Sequence, residues 1–357
     1  MSPDSPKKVS ALAGAAGDLL VRVDGSADVE VSGLAYDSGA VGRGALFFCI
    51  PGTRSDGHAF AAEAVDAGAA ALCAERALDV EVPVIVVTDS RRALGRLAAS
   101  FYGRPADGLL LLGVTGTNGK TTTAFLIDAI LRADGRTTGL IGTVETRIAG
   151  AARPGVRTTP ESLDLHSLFA EMASAGVDSV SMEVTSHALA LHRVEGLHFA
   201  AAAFTNLTQD HLDFHGDMED YFSAKKMLFV PERLERGAVN VDEVYGRKLL
   251  DATEVPCAGF GIAPEADVRA VDVDLGTNGS AFTIATPKGD VRVRSPLVGS
   301  FNVSNCLAAA ATCLQAGIGL DAIERGLSSG VSVPGRFESI DAGQPFSVVV
   351  DYAHTPD

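Results

Sequence analysis

Residues Gly113 to Phe125 read "GVTGTNGKTTTAF". The run before them, Leu109 to Val114, is apolar enough for a buried parallel strand, and Thr121 to Leu131 forms an apolar-rich helix stopped by Gly135. A glycine loop between a strand and a helix turns backbone amides and the positive helix end toward an anion, and Lys120 adds a full charge. The general pattern G-x-x-x-x-G-K-[ST] is missed by one place, because Val114 stands where the first glycine belongs. The strand and the helix supply the context that the motif requires. Gly116 and Gly119 are therefore expected against phosphate oxygens, with the Thr121 hydroxyl on Mg²⁺.

Outward from the loop, strand candidates recur at "TTGLIGTV", "VDSVSMEV", "FAAAAFTNL" and "AVNV", with helical stretches between several of them. That pattern predicts a largely parallel sheet with crossover helices. "VRAVDVDL", "SAFTIAT" and "DVRVRSPL" alternate in period two around the turns "GTNG" and "PKGD", which predicts an antiparallel meander on the flank. "NVSNCLAAAATCLQAG" reads as a helix stopped by Gly317, and "FSVVVDYAHTPD" as a strand opening a third domain that stops at its root. Upstream, "ALFFCI" and "VPVIVVT" read as strands and "HAFAAEAVDAGAAALCAE" as helical, a small α/β domain joined to the rest by "YGRPADG". The expected class is α/β, divided at residues 1–105, 106–333 and 334–357.

The acidic side chains point to the same end of the sheet. Glu183, in "MEVTSHAL", closes an apolar strand where ligands of parallel sheets gather, so it is read either as a Mg²⁺ ligand with Thr121 or as an ion-pair partner of an arginine. "TNLTQDHLDFHGD" crowds Asn206, Asp210, His211, Asp213 and His215 after another strand, and these are expected to face the same crevice. "DYFSAKKMLF" puts Lys225 and Lys226 in mid-helix. A lysine of lowered pKa can react as the free amine, and spacing alone leaves both in play.

Composition bounds the partners. A length of 357 residues exceeds the roughly 250 to 300 at which single cores stop growing, so two or three domains are expected. A net charge of -16 argues against a nucleic-acid surface, and 46% hydrophobic residues without a long uncharged run argue against membrane insertion. Five cysteines without a C-x-x-C pair fit a reducing cytosol. A cytoplasmic monomer is the expectation.

Together these motifs resemble the Mur ligase family, and within it the enzymes that add the third amino acid to UDP-N-acetylmuramoyl-L-alanyl-D-glutamate. The likeness runs through "YDSGAVGRGALFFCIPGTRSDGHAFAAEAVDAGA", "GVTGTNGKTTT", "RTTPE", "MEVTSHALALHRV", "FTNLTQDHLDFHGDMEDYFSAKKMLF", "GSFNVSNCLAA", "PGRFE" and "VVDYAHTPD". It implies an N-terminal uridine-nucleotide domain, a central ATPase domain and a Rossmann-like C-terminal domain, of which this chain holds a stub. By the resemblance, ATP meets Gly116, Thr117, Asn118, Gly119, Lys120, Thr121, Thr122, Asn305, Arg336 and Asp351. Two Mg²⁺ ions are held by Thr121, Glu183, His211 and a carbamylated Lys225, making Lys120, Lys225, Glu183 and His211 the catalytic set. Substrate falls on Thr158, Thr159, Thr185 and Arg193, and its uridine end on Tyr36, Ser38, Thr53, Arg54 and Ser55.

The resemblance implies transfer of the ATP γ-phosphoryl group to the dipeptide's carboxylate and displacement of phosphate by a free diamino acid, meso-diaminopimelate or L-lysine, the first being commoner. Gly39 replaces an arginine near the nucleotide end, Arg157 a common asparagine, Leu191 a frequent glutamine and Thr185 a serine. Because the amino-acid-selecting domain is missing, the chain is expected not to form product alone. A non-ligating fragment that binds ATP and UDP-sugar, and a folylpolyglutamate-type ligase, are the competing readings.

Overall fold

The computed structural model describes residues 6–52, 55–340, 342–344, 346 and 348–353. The chain divides into two compact units, residues 1–107 with 160–171 and 191–197, and residues 108–159 with 172–190 and 198–357.

The first unit holds a ribbon of β1 (Lys7–Lys8) and β3 (Glu30–Val31) and a five-stranded sheet. The sheet comprises β2 (Leu20–Asp24), β4 (Gly33–Ala35), β5 (Ala45–Phe48), β6 (Ala71–Ala74) and β7 (Val84–Val87), in the order β2-β7-β6-β5-β4. Alternate residues of β5 serve opposite faces. Leu46 and Phe48 pack with Leu12, Leu94 and Leu97 of the helices α1 (Val9–Ala15) and α3 (Ser90–Phe101). Phe47 and Cys49 join Ala64 of α2 (Ala61–Asp66) and Leu72. Both faces of the central β5, β6 and β7 are covered, which is why these three strands are unbroken apolar runs. The expected helix over "HAFAAEAVDAGAAALCAE" is corrected: α2 ends at Asp66, Gly68 turns with φ +102°, and Ala71 to Ala74 is a strand buried on both faces. Asp89 caps α3 by accepting from the amides of Arg91 and Arg92 at 3.0 and 2.9 Å. The same helix ties the later segments in: Glu161 meets Arg193 at 2.9 Å and Arg91 at 3.6 Å, and Glu195 meets Arg92 and Arg96 at 3.3 Å each.

The second unit is built on an eleven-stranded sheet. Its parallel strands are β8 (Leu110–Thr115), β9 (Thr138–Ile141), β12 (Ser179–Glu183), β13 (Phe199–Phe204), β14 (Leu234–Asn240) and β15 (Cys257–Gly261). A hairpin, β10 (Glu145–Ile148) and β11 (Ala151–Pro154), extends one edge. The expected meander, β16 (Val268–Gly276), β17 (Gly279–Thr286) and β18 (Gly289–Ser295), extends the other, joined to β15 by parallel pairing of Phe260 with Val268. It is a continuation of the main sheet, not a separate flanking one. The order β11-β10-β9-β12-β8-β13-β14-β15-β16-β17-β18 puts β8 between β12 and β13, so their carboxyl ends share one rim.

The helices of this unit are α4 (Lys120–Ala133), the end of α5 (Ser162–Ser174), α6 (Ser186–Ala190), α7 (Leu212–His215), α8 (Met218–Lys226), α9 (Val244–Ala252), α10 (Ser300–Gln315) and α11 (Leu320–Leu327). Lys225 and Lys226 close α8 instead of lying in its middle. Near the end, β19 (Glu338–Ile340) pairs antiparallel with β20 (Val348–Val350). Alanines 308 to 311 of α10 are fully or almost fully buried, and the small side chains let this helix lie on β13 to β16. Fully buried Asp128 anchors α4, accepting from Thr138 at 2.6 Å, Arg147 at 2.7 Å and Arg132 at 3.0 Å. Among the described residues no helix is long and apolar enough to cross a membrane.

The crossing of α11 over α4 depends on Gly326, where an added Cβ would sit 2.5 Å from Ile130 Cα and 2.7 Å from its nitrogen. Gly326→Ala is therefore expected to push the helices apart and cost about 1–3 kcal/mol in denaturant unfolding, despite alanine's better helix propensity. A neutral or stabilising change would contradict this packing.

Candidate active site

The loop between β8 and α4 takes its shape from the end of β13. The Thr117 amide donates to Asn206 O at 3.0 Å, the Asn118 amide to Asn206 Oδ1 at 2.8 Å, and Thr205 Oγ1 to Asn118 O at 2.7 Å. Two positions admit only glycine. A Cβ on Gly116, at φ +147°, would lie 1.9 Å from Thr205 Oγ1, and one on Gly119, at φ +83°, 2.3 Å from Asn305 Oδ1. Beneath the loop, Thr117 Oγ1 meets the hydroxyl of buried Tyr221 at 3.1 Å and accepts from the Thr208 amide at 3.1 Å.

Two amines, one part-buried and one fully buried, converge on one carbonyl. Lys120 Nζ donates to Gly116 O at 3.0 Å and Thr117 O at 2.6 Å, while Lys225 Nζ donates to Gly116 O at 2.7 Å and lies 4.5 Å from the Tyr221 ring centre. Burial drives the Lys225 amine well below its ordinary value, and the Lys120 charge pushes it further. Lys120 is lowered by burial too, with Glu183 and Asp210 opposing. The loop thus brings two amines to one carbonyl oxygen, with burial disfavouring charge on both and the Glu183 and Asp210 carboxylates favouring it on Lys120.

Glu183 closes β12 in register with Val114 of β8, one residue before the loop strand ends. Its buried carboxylate accepts from Thr121 Oγ1 at 3.0 Å, the Thr143 amide at 2.7 Å and Thr143 Oγ1 at 3.2 Å. Thr158 Oγ1 lies 3.0 Å from Thr143 Oγ1, and Thr159 Oγ1 donates to Glu183 O at 2.8 Å while accepting the Thr185 amide at 3.1 Å. Arg336 reaches Thr121 Oγ1 at 3.4 Å, with its guanidinium 5.1 Å from the Tyr352 ring centre. His211, at φ +53°, sits 3.3 Å from Asp210 Oδ2. Burial lowers the His211 pKa, Asp210 opposing and the two lysines assisting, which favours neutral imidazole.

These groups line a cleft of about 240 Å³. It gathers twelve of the expected residues: Thr117, Asn118, Gly119, Lys120, Thr121, Thr122, Thr158, Glu183, Thr185, Asp210, His211 and Arg336. Gly116, Thr159 and Lys225 lie just behind them, held by the contacts given above, and buried Asn305 donates to Asn302 Oδ1 at 3.0 Å beside Gly119. Asp351 is not on the wall; it accepts the Phe337 amide at 2.6 Å. In the first unit, the Tyr36 hydroxyl donates to Asp164 at 2.7 Å, Ser38 opens a 3-10 turn, Ser55 O accepts the Gly52 amide at 2.9 Å, and Arg193 pairs with Glu161. Thr53 and Arg54 lie outside the described residues, as does "HTPD", 354–357.

The loop after β13 splits, correcting the expectation that all its polar groups face the crevice. Asn206 braces the phosphate loop, Asp210 and His211 face the cleft, Asp213 is exposed, and His215 is buried against Ser186 Oγ at 2.9 Å. Sequence reasoning passed over Thr143, Tyr221 and Tyr352. Thr143 had a usable signal, since it follows the carboxyl end of β9 in "GLIGTV", on the rim where ligands bind.

An oxygen-rich set with one imidazole suits a hard divalent cation such as Mg²⁺, which needs only one or two protein carboxylates. Among the described residues no cluster of three His, Cys, Asp or Glu side chains closes on a metal by itself, so such an ion would rely on the Thr121 hydroxyl, phosphate oxygens and water as well.

A strand, an amide-lined glycine loop with its lysine, and a carboxylate on the adjoining strand define a nucleotide-phosphate-binding α/β protein equipped for phosphoryl transfer. The Mur ligase middle domain matches residues 114–313, and the Mur ligase family catalytic domain matches residues 30–102. UDP-N-acetylmuramoyl-L-alanyl-D-glutamate--2,6-diaminopimelate ligase of Geobacillus kaustophilus is 50% identical over 92% of this chain and 68% of its own length. The ligase of the same name from Streptomyces avermitilis is 47% identical over 99% of this chain and 72% of its own length. A solved structure of such a ligase, 27% identical, covers 99% of this chain and 72% of that one at a TM-score of 0.85. The chain belongs to the Mur ligase family.

Lys225→Met tests the electrostatics. An unfolded lysine keeps a pKa near 10.4. Between the depressed folded value and about 10.4 the unfolded state therefore binds more protons, so the lysine costs stability at pH 7 and the cost fades as pH approaches 10.4. In carbonate-free buffer the variant should unfold at a higher midpoint than wild type at pH 7, the gap narrowing toward pH 10. A lower midpoint at pH 7 would contradict the assignment.

Proposed function

We propose that this chain supplies the ATP and muramoyl-dipeptide sites of a ligase that joins 2,6-diaminopimelate to UDP-N-acetylmuramoyl-L-alanyl-D-glutamate. One observation carries the reading: Lys120, Thr121 and Glu183 share a single cleft with Thr158, Thr185 and His211, so a terminal phosphate and an acceptor acid can occupy one cavity. The names of the relatives support the choice of substrates and favour diaminopimelate over lysine. The same relatives argue against a folylpolyglutamate-type ligase.

In this reading the amides of the Gly116 to Lys120 loop grip the ATP phosphates, and Lys120 swings from the Gly116 and Thr117 carbonyls onto phosphate oxygens. Glu183, Thr121 and His211 would hold Mg²⁺, which supplies charge neutralisation when bound. The dipeptide carboxylate attacks the γ-phosphorus, its oxygen forming the new bond as the bond to the β-phosphate oxygen breaks; the products are acyl phosphate and ADP. The amine then attacks the acyl carbon, loses a proton, and expels phosphate to leave the amide. Lys225, its pKa driven well below the ordinary lysine value by burial, could add to CO₂ through its neutral amine with loss of a proton, giving a carbamate anion that could hold a second Mg²⁺.

Arg336 and Asn305 would flank the nucleotide, with Asp351 at its ribose. Thr158, Thr159, Thr185 and Arg193 would hold the sugar peptide. The first unit, through Tyr36, Ser38 and the 53–55 segment, would take the uridine end, residues 106–333 the ATP, and residues from 334 would open the amino-acid domain.

Equilibrium titration of the purified chain tests the reading without requiring turnover. Mg·ATP and UDP-N-acetylmuramoyl-L-alanyl-D-glutamate should both bind, and Lys120→Ala should weaken Mg·ATP about tenfold or more, the equivalent of one charge-assisted hydrogen bond. Binding of a folate in place of the dipeptide, or unchanged nucleotide affinity in Lys120→Ala, would overturn it.

A further inference from the structure

Thr143 is assigned no role by the family likeness, yet it lines the cleft and touches both Glu183 and Thr158. Its hydroxyl donates to Glu183 Oε2 at 3.2 Å and lies 3.0 Å from Thr158 Oγ1, while its amide fixes the other carboxylate oxygen at 2.7 Å. A hydroxyl has one proton to give. With the Thr143 proton on Glu183, the contact with Thr158 has to be a donation from Thr158, so both protons run toward Glu183. Thr158 then offers the cleft only an acceptor, the wrong partner for a carboxylate or phosphate.

We infer that Thr143 is a positioning residue that couples the cation at Glu183 to the acid group of the acceptor through a reversible hydroxyl chain. The inference rests on the proposed function. A divalent cation at Glu183 repels a hydroxyl proton aimed at the same oxygen. Thr143 then turns its proton to Thr158, and Thr158 turns its own into the cleft, where an anionic acceptor takes it. Metal on one side makes a donor on the other, so each ligand strengthens the other by the same factor. The backbone amide keeps Glu183 in place throughout, so the chain can reverse without losing the carboxylate's position.

The test is a binding cycle on the purified chain with UDP-N-acetylmuramoyl-L-alanyl-D-glutamate and a non-hydrolysable ATP analogue, with Mg²⁺ and with the metal chelated. In wild type, the Mg²⁺ complex should tighten dipeptide binding by about fivefold or more, within the usual range for coupled sites, and the metal-free analogue should not. Thr143→Val keeps shape and amide but removes the hydroxyl, and its coupling should fall to about one. Thr143→Ser should restore it. Thr158→Val should lose the same coupling, and the double variant should lose no more than either single change. The readout is the ratio of affinities, which a general weakening of either ligand leaves unmoved. Coupling retained in Thr143→Val, absent from wild type, or unrestored by serine would overturn the inference. Failure of wild type to bind either ligand alone would instead overturn the proposed function, and it shows in the single-ligand titrations.

Discussion

The register of three parallel strands governs this site. Glu183 lies opposite Val114, and Phe204 opposite Thr115, so β8, β12 and β13 end at nearly one level. Each strand delivers a different element there: the glycine loop, the carboxylate, and the polar segment that braces the loop. A one-residue slip would turn every side chain of the slipped strand to its other face, and the carboxylate would be lost to the cleft. The almost wholly buried rows of β8, β12 and β13 penalise that slip. Packing in the sheet interior is therefore what sets a catalytic distance at its rim.

The same arrangement gathers ionisable groups where access to solvent is restricted. Part-buried Lys120 and fully buried Lys225 share the Gly116 carbonyl, and the buried Glu183 carboxylate accepts from hydroxyl and amide donors. Such a site costs stability, and in the proposed function phosphate against Lys120 and a cation against the carboxylate would offset that cost. The preorganised groups need little reorientation when that charge arrives, the condition under which electrostatic stabilisation is most effective.

Much of this was readable in the residues. The loop announced itself by its strand and helix despite the displaced glycine, Glu183 by closing an apolar strand, and α10 by its alanine run and Gly317. Local pattern misjudged "HAFAAEAVDAGAAALCAE", because Ala71 to Ala74 carries no β-branched residue, and only burial on both faces makes it a strand. Pattern also gave no hint that residues 160–171 and 191–197 join the first unit, since their ties to Arg91, Arg92 and Arg96 span roughly 70 to 100 positions of chain. Thr143 could be placed on the rim from its position after β9, but its contacts with Glu183 and Thr158 join residues far apart in the chain, which no spacing rule encodes.

The central claim is that one cavity holds a terminal phosphate on Lys120 beside a cation on Glu183. A crystal of the chain grown with Mn²⁺ and a non-hydrolysable ATP analogue addresses it directly. Anomalous scattering should place manganese about 2 Å from a Glu183 carboxylate oxygen, with the γ-phosphate against Lys120 and the amides of the Gly116 to Lys120 loop. Manganese bound elsewhere, or phosphates lying off the loop while Lys120 still holds the Gly116 and Thr117 carbonyls, would contradict the account.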